Sequence, residues 1–183
     1  MSKVLIISGH PSLGQSSANS VVLEEVKKLL PEVEISQLDA LYPDFNINVE
    51  AEQAKLAAAD VIVWQFPVHW FSIPALLKKW LDDVFTYGFA YGSTGDKLHG
   101  KKLILSATVG SAAENYVDSE TSNSIQQLFK PLFQSASFSG MVNAEPVVSY
   151  GMLYLPGMFP EEALTAVQEK AKAHAQRLVE AIG

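Results

Sequence analysis

Val61-Ile62-Val63-Trp64-Gln65-Phe66-Pro67-Val68-His69-Trp70-Phe71-Ser72-Ile73-Pro74 is the segment that decides the fold of this chain. Its apolar run, Val61 to Phe66, reads as a strand buried on both faces of a parallel sheet. A loop rich in proline and aromatic residues follows it. Next comes an amphipathic helix in which Ile73, Leu76, Leu77, Trp80, Leu81, Val84 and Phe85 share one broad stripe. Ser72 is the expected N-cap, and Pro74 falls in the first turn, where a missing N–H costs little. The stripe suits either the sheet or a second copy of the chain. Clustered aromatics on a rigid loop at a strand's C-terminal end suit a flat, conjugated ligand better than a sugar or a peptide.

Outward from this segment, strand-like and helical patterns alternate. Strand one is expected at Lys3 to Ser8, and a helix follows with Ala18, Val22, Val26 and Leu29 on its inner face. Strand two is Val33 to Leu38. Asp39 to Asn48 reads as irregular, and a short helix covers Glu50 to Ala59. Strand four is Lys102 to Ala107, and a helix runs from about Ser122 to Phe133. Phe138 to Val142 or Val147 to Ser149 supplies strand five, and a last helix spans Glu161 to Ala181. The pattern predicts an α/β fold: a doubly wound, five-stranded parallel sheet in the order 2-1-3-4-5 with helices on both faces. Ligands of such sheets bind outside the strands' carboxyl ends, near the switch point between strands one and three. Three loops meet there: Gly9 to Asn19, Gln65 to Ser72 and Thr108 to Tyr116.

At 183 residues, 48% hydrophobic and 18% charged, the chain is expected to bury one core as a single domain, 1–183. The net charge is −7 with both signs interspersed, and the densest basic cluster, Lys97 to Lys102, has only three lysines. That argues against a surface that tracks nucleic-acid phosphates. Without cysteine there are no disulfides or thiolate metal sites. The opening apolar run is too short for a signal peptide or a membrane span, so a cytoplasmic address is expected.

In the first loop, Ser16, Ser17, Ala18 and Asn19 stand where a helix begins, and free N–H groups with the positive dipole end attract anions. No lysine or arginine lies between Lys3 and Lys27. A phosphate here would be held by amides, hydroxyls and His10, unless Ser16 or Ser17 merely caps the helix. Gly95-Asp96-Lys97-Leu98-His99-Gly100-Lys101 imitates a P-loop, but Lys102 replaces the required Ser/Thr and a strand follows, so it is a turn. In the second loop Pro67, Val68, His69, Trp70 and Phe71 offer an apolar wall and peptide N–H donors for the edge of an isoalloxazine ring, which makes a flavin the leading cofactor. In the third, Gly110 allows close backbone approach, while Thr108 and Ser111 supply hydroxyls. Trp64 and Trp80 sit on core periodicities. His174 shares a helical stripe with Val167, Ala171 and Leu178, which favours partial burial, and His99 reads as a turn residue. No set of histidines has metal-ligand spacing.

The chain resembles the flavodoxin-like NAD(P)H:quinone oxidoreductases, the flavodoxin-2 or DT-diaphorase-like family. The resemblance is densest in Ala40-Leu41-Tyr42-Pro43-Asp44-Phe45-Asn46-Ile47, in Gln65 to Lys78 and in Gly88-Phe89-Ala90-Tyr91-Gly92. It is similar to the small bacterial branch that includes ancillary flavoproteins of glutathione-gated potassium efflux systems. The resemblance implies a homodimer with interfacial sites, and ping-pong hydride transfer from NAD(P)H through flavin to a quinone. The implied flavin contacts are His10, Ser16 to Asn19, Val68 to Phe71, and Thr108, Val109, Gly110 and Ser111, the last four standing where the family has Thr-Thr-Gly-Gly. Tyr116 matches a tyrosine that in some members stabilises charge at the flavin, but its partner histidine has no counterpart between Val117 and Lys130. The chain lacks the extra C-terminal region of the larger FAD-binding relatives, which favours FMN, with FAD as the alternative. Tyr42, Phe45, Tyr150, Met152 and Tyr154 are candidates to line an open acceptor pocket. Two other functions compete: a regulatory flavoprotein docking peripherally on a potassium efflux transporter at the inner membrane face, and a one-electron flavodoxin carrier.

Overall fold

A computed structural model of the chain describes residues 2–183; Met1, which opens the first apolar run, lies outside the described residues. The strands are β1 (Val4–Ser8), β2 (Glu34–Gln37), β3 (Val61–Pro67), β4 (Lys102–Thr108), β5 (Val142–Asn143) and β6 (Val147–Ser149). The helices are α1 (Asn19–Leu29), α2 (Leu38–Leu41), α3 (Val49–Ala58), α4 (Ala75–Val84), α5 (Ile125–Phe138) and α6 (Glu161–Ile182). All pairings are parallel and the order is β2-β1-β3-β4-β5, with β6 also on β4. This is the flavodoxin-like doubly wound sheet, order 2-1-3-4-5.

The central strands hold it together because alternate side chains serve two cores. Leu5, Ile7, Ile62, Trp64, Phe66, Leu103 and Leu105 pack under α3, α4 and α5. Ile6, Val61, Val63 and Ile104 pack under α1 and α6. The whole stripe of α4 is taken up by the first core, where Trp64, Trp80 and Phe85 meet edge to face at 5.9–6.4 Å. It is therefore a sheet-facing surface and not a dimer face.

Several boundaries differ from the sequence pattern, each for a local reason. Ser72 does not cap α4: its N–H and C=O pair with His69, and Pro74 occupies the N-cap. Leu29 ends α1 exposed, while Ala18, Val22 and Val26 are buried. The segment read as irregular holds α2, which begins at Leu38 and shortens β2. A Ser124/Gln127 capping box starts α5, which continues past Pro131 through an exposed Phe138, so Phe138 belongs to no strand. The fifth strand position is divided. β5 pairs with Lys102–Leu103 and β6 with Ser106–Thr108, and between them Pro146 has no N–H to give the ladder.

One buried carboxylate ties the β2 side together. Glu52 is wholly buried and accepts from Ser36 Oγ, Tyr42 Oη and Trp80 Nε1, each at 2.9 Å, and from Lys55 Nζ at 2.6 Å. Burial and the Glu52 hydrogen bond push the Tyr42 hydroxyl up to about 12, so it stays a donor. Tyr42 is thereby committed to the fold and does not line a pocket. Glu52→Ala leaves the Ser36, Tyr42 and Trp80 donors without their acceptor, Lys55 keeping only its 3.0 Å contact to Ser36 Oγ, and we expect a loss of about 3 kcal/mol, read by urea titration. A loss below about 1 kcal/mol would show that the cluster is not holding β2, α3 and α4 together.

Candidate functional site

The carboxyl ends of the strands carry a layer of polar side chains on the face covered by α1 and α6. Ser8, Gln65 and Ser106 are register neighbours across β1, β3 and β4, and Thr108 stands opposite Ser149. All five are buried. Gln65 Nε2 donates to Asn19 Oδ1 at 2.9 Å, and Ser106 Oγ donates to Gln65 Oε1. Asn19 Nδ2 reaches Thr108 Oγ1 at 3.0 Å and Ser16 Oγ at 3.3 Å. On the far side, His174 from α6 sits between Ser106 Oγ (2.7 Å from Nε2) and Ser149 Oγ (2.9 Å from Nδ1). Arg177 closes the row, with Nη2 2.6 Å from Ser149 Oγ.

This layer fixes the three loops. Gly9 leaves β1 with its N–H on the Gln65 carbonyl at 2.8 Å; a β-carbon there would stand 2.7 Å from the Leu77 side chain, so only glycine fits. A short 3-10 turn, Leu13–Gln15, is pinned by the Leu13 N–H on Asp39 Oδ2 at 2.6 Å. Ser16 Oγ accepts the N–H of Asn19, the first residue of α1, at 2.9 Å, although Ala18 holds the N-cap position, and the Ser16 hydroxyl proton remains to be given away. Among the described residues, the Ser17 and Ala18 N–H groups have no partner within the protein.

These groups face a cavity of about 220 Å³ at the switch point. His10, Ser16, Ser17, Ala18, Asn19, Pro67, Val68, His69, Thr108 and Gly110 line it, as do Gln15, Met152, Leu153 and Tyr154, and no lysine or arginine does. His10 Nδ1 accepts the Ser12 N–H at 3.0 Å, leaving Nε2 to carry the proton of the neutral ring. Burial and the neighbouring His69 hold the His10 pKa below the usual histidine range, against the opposing pull of Asp39 and the Ser12 amide.

A second hollow of about 430 Å³ lies beside the same loops, lined by Phe71, Ser111, Asn115, Tyr116 and Thr121 to Asn123. Phe71, Tyr116 and Tyr150 form an aromatic row with centroids 6.2 and 5.8 Å apart. Burial and the adjacent Tyr116 raise the Tyr150 hydroxyl pKa. The turn that presents Phe71 is unusual. His69 and Ser72 exchange both backbone hydrogen bonds (2.9 and 3.0 Å) around Trp70 at φ 47° and Phe71 at φ 64°. Tight hairpins of this sort favour Asn-Gly, and each bulky residue held there costs roughly 1–2 kcal/mol. Trp70 is 94% exposed and walls neither hollow.

Two other sequence-predicted residues stand elsewhere. Val109 is buried among the α4- and α5-side core, with its N–H on the Ser149 carbonyl and its C=O on the Met152 N–H. Phe45 is exposed and lines neither hollow. Gln65, Ser106 and Ser149 were not anticipated as site residues. Their signal is a polar residue at every second position where an apolar strand ends, as in Gln65 and in Ser106/Thr108. A larger hollow of about 680 Å³, lined by Leu5, Leu29, Leu30 and Pro31, lies at the opposite end of the sheet, away from all three loops and the polar layer. The switch-point cavity is the candidate site, because it alone combines the strand ends with unpaired donors. Among the described residues no cluster of His, Asp or Glu could hold a metal ion, and no helix is long and apolar enough to cross a membrane.

The chain belongs to the flavodoxin-2 family, of flavodoxin-like fold, whose model matches residues 2–177. It is 39% identical over 177 residues to the glutathione-regulated potassium-efflux system ancillary protein KefF of Enterobacter sp. (strain 638), covering 97% of this chain and 96% of that one. The general stress protein 14 of Treponema denticola, solved in complex with FMN, superposes with a TM-score of 0.85 at 33% identity, covering 97% of this chain and 98% of its own. An NADPH-quinone reductase from P. pentosaceus gives a TM-score of 0.74 at 29% identity, with 92% and 97% covered.

The buried histidine gives the fold an acid limit. Burial first, and Arg177 second, lower the His174 pKa from 6.5 to about 3. The folded state therefore binds fewer protons than the unfolded chain below pH 6.5. The stabilisation is complete above that value and is lost as the pH falls towards about 3, at up to about 1.4 kcal/mol per pH unit. Urea titrations at about pH 7.5 and about pH 5, an interval in which most carboxylates stay ionised, should show lower stability at the acid end. His174→Gln should flatten the difference, and equal stabilities in the unsubstituted protein would contradict the burial of a neutral ring.

Proposed function

We propose that this protein is a flavin-dependent NAD(P)H:quinone oxidoreductase that holds FMN at the switch-point cavity, with FAD as the less favoured form. The observation that carries this reading is a cavity at the carboxyl ends of β1, β3 and β4 lined by unpaired donors and no cation, in a chain of the flavodoxin-2 family. The donor set fits a phosphate-tailed flavin. Ser17 and Ala18 N–H groups, the Ser16 and Thr108 hydroxyls and the His10 Nε2–H suit the tail. Pro67, Val68 and Gly110 offer close backbone approach for the ring, and the Trp70 and Phe71 N–H groups, unpaired among the described residues, are available to its edge. Ser111, His69 and the Phe71–Tyr116–Tyr150 row flank the place where donor and acceptor would lie.

The chemistry such a cofactor supplies when bound is two-electron hydride transfer from NAD(P)H to a quinone-like acceptor, in a ping-pong order. The protein's share is positioning and exclusion of water. Tyr116 is the residue we assign to stabilising charge at the ring's edge. The loops beside the cavity expose Trp70 and Met158 (77%), apolar surface that supports a homodimer with the site at its interface.

A second reading draws on the 39% identity to KefF: an ancillary flavoprotein that binds a potassium efflux transporter peripherally, at the cytoplasmic face of the inner membrane. Reconstituted transport separates the two. Stimulation by a flavin-loaded but hydride-inactive variant favours the regulatory role, and its absence favours the enzyme.

The purified protein should be yellow, release FMN on denaturation, be bleached by one equivalent of NADPH or NADH, and turn over further equivalents when a quinone is supplied. A preparation that stays colourless after incubation with FMN and FAD would end the reading. Gly110→Val gives a sharper local test. A β-carbon at Gly110 meets only Leu153, at 3.4 Å, so the backbone tolerates substitution there while added side-chain bulk faces the cavity. Flavin affinity should fall by about tenfold or more at unchanged stability, as expected from filling space the ligand needs; unchanged flavin content would remove the third loop from the site.

A further inference from the structure

We propose that Arg177, on the surface of α6, sets the direction of a buried chain of hydrogen bonds ending on the Ser16 and Thr108 hydroxyls, and so acts as a positioning residue for the phosphate-bearing cofactor. The inference rests on the flavin reading above and deepens it: it says how a site without a lysine or arginine selects a phosphorylated ligand.

The direction follows link by link from what each group can give. A guanidinium only donates, so Arg177 Nη2, 2.6 Å from Ser149 Oγ, makes that oxygen an acceptor. The Ser149 hydroxyl proton then has His174 Nδ1, at 2.9 Å, as its acceptor. With Nδ1 accepting, the ring proton lies on Nε2 and is donated to Ser106 Oγ at 2.7 Å. Ser106 passes its own proton to Gln65 Oε1, which orients that amide so that Nε2 donates to Asn19 Oδ1 at 2.9 Å. Asn19 Nδ2 is left to donate to Thr108 Oγ1 at 3.0 Å and to Ser16 Oγ at 3.3 Å. Thr108 Oγ1 also lies 3.2 Å from Asn19 Oδ1, the longer of its two contacts with that amide. Both terminal oxygens then accept from the protein side; the Ser16 proton is free for the cavity, and the Thr108 proton is drawn there in competition with Asn19 Oδ1.

The opposite direction is complete from His174 inwards and has the opposite effect. A proton on His174 Nδ1 would turn the Ser106 proton towards Nε2 and reverse both amides. The Ser16 and Thr108 hydroxyls would then donate inwards to Asn19, leaving an anion without them. Arg177 biases the choice because it cannot accept: with Nδ1 protonated, Ser149 Oγ would accept from both neighbours and its own proton would have no acceptor among the described residues. Bonds that all point one way reinforce one another in a low-dielectric interior, so the charge of Arg177 reaches the cavity as polarised O–H groups. A phosphate gains from this, whereas riboflavin, the same ring without phosphate, does not.

Long-range 1H–15N correlation spectra of the cofactor-free protein read the direction itself, independently of any flavin. A neutral Nε2–H tautomer of His174 is expected, and an Nδ1–H tautomer would overturn the proposal. Titration of FMN and riboflavin into the protein and its variants reads the consequence. Arg177→Met and Ser149→Ala should each weaken FMN binding by about three- to tenfold with riboflavin little changed, and Arg177→Lys should restore most of the loss. Ser149→Ala keeps the Arg177 charge in place. If Arg177→Met alone weakens FMN, the charge acts through space and the chain carries nothing; if neither variant does, the proposal also fails. Unsubstituted protein that binds neither flavin would instead remove the cofactor reading, while the tautomer still decides the direction of the chain.

Discussion

A carboxamide in the middle of an apolar sheet is the constraint on which the site depends. Gln65 occupies the central strand, 1% exposed, with Val63 beside it on one face. An unpaired amide there would cost several kcal/mol, so its oxygen and nitrogen both have to find partners on neighbouring elements. Ser106 supplies one from β4, and Asn19 supplies the other from the first residue of α1. Satisfying one side chain thus fixes where α1 begins and how the first loop leaves β1. The arrangement of hydroxyls and amides around the cavity follows from a hydrogen-bonding requirement inside the fold.

Glu52 plays a comparable part at the other side of the sheet. Its four donors come from β2, the segment after α2, α3 and α4, elements that no continuous apolar stripe would hold in register. The helix α3 is short and has only Leu56 fully buried among its apolar residues. A buried, fully partnered carboxylate supplies the specificity that such a helix lacks. The two polar knots lie on different faces, and the Glu52 knot takes in α4 through the Trp80 indole.

The parts of the fold that were legible in the sequence are those where one physical signal dominates. Val61 to Phe66 and Leu103 to Leu105 are continuous apolar runs, and α4 repeats its stripe over three turns. The three loops were readable because each joins a clear strand end to glycine, serine or aromatic residues. Contacts between distant polar residues were not legible. Tyr42 looked like a pocket aromatic and is instead the donor to Glu52, a partner ten residues away that only the fold identifies. Val109 reads as part of the third loop, although its alternation with Ser106 and Thr108 assigns it to the opposite face. Ser72 has the composition of a cap, but the hairpin around Trp70 and Phe71 claimed its backbone, and the strain of that turn has no signature in the residue types. The helix across Pro131 is legible as far as Phe133, but its last turn to Phe138 and the division of the fifth strand are not, since local propensity there is overridden by tertiary pairing.

The broken strand has a consequence for behaviour in a crowded solution. An outermost strand with a long row of unmet amides and carbonyls is a template on which other chains can stack. Here one margin of the sheet ends in the two-residue β5 and the three-residue β6, separated by Pro146, and the other ends in the four-residue β2. Neither margin presents enough uninterrupted backbone to recruit a foreign strand. Short, interrupted margins of this kind are one of the devices by which a sheet with so apolar a core discourages edge-to-edge stacking.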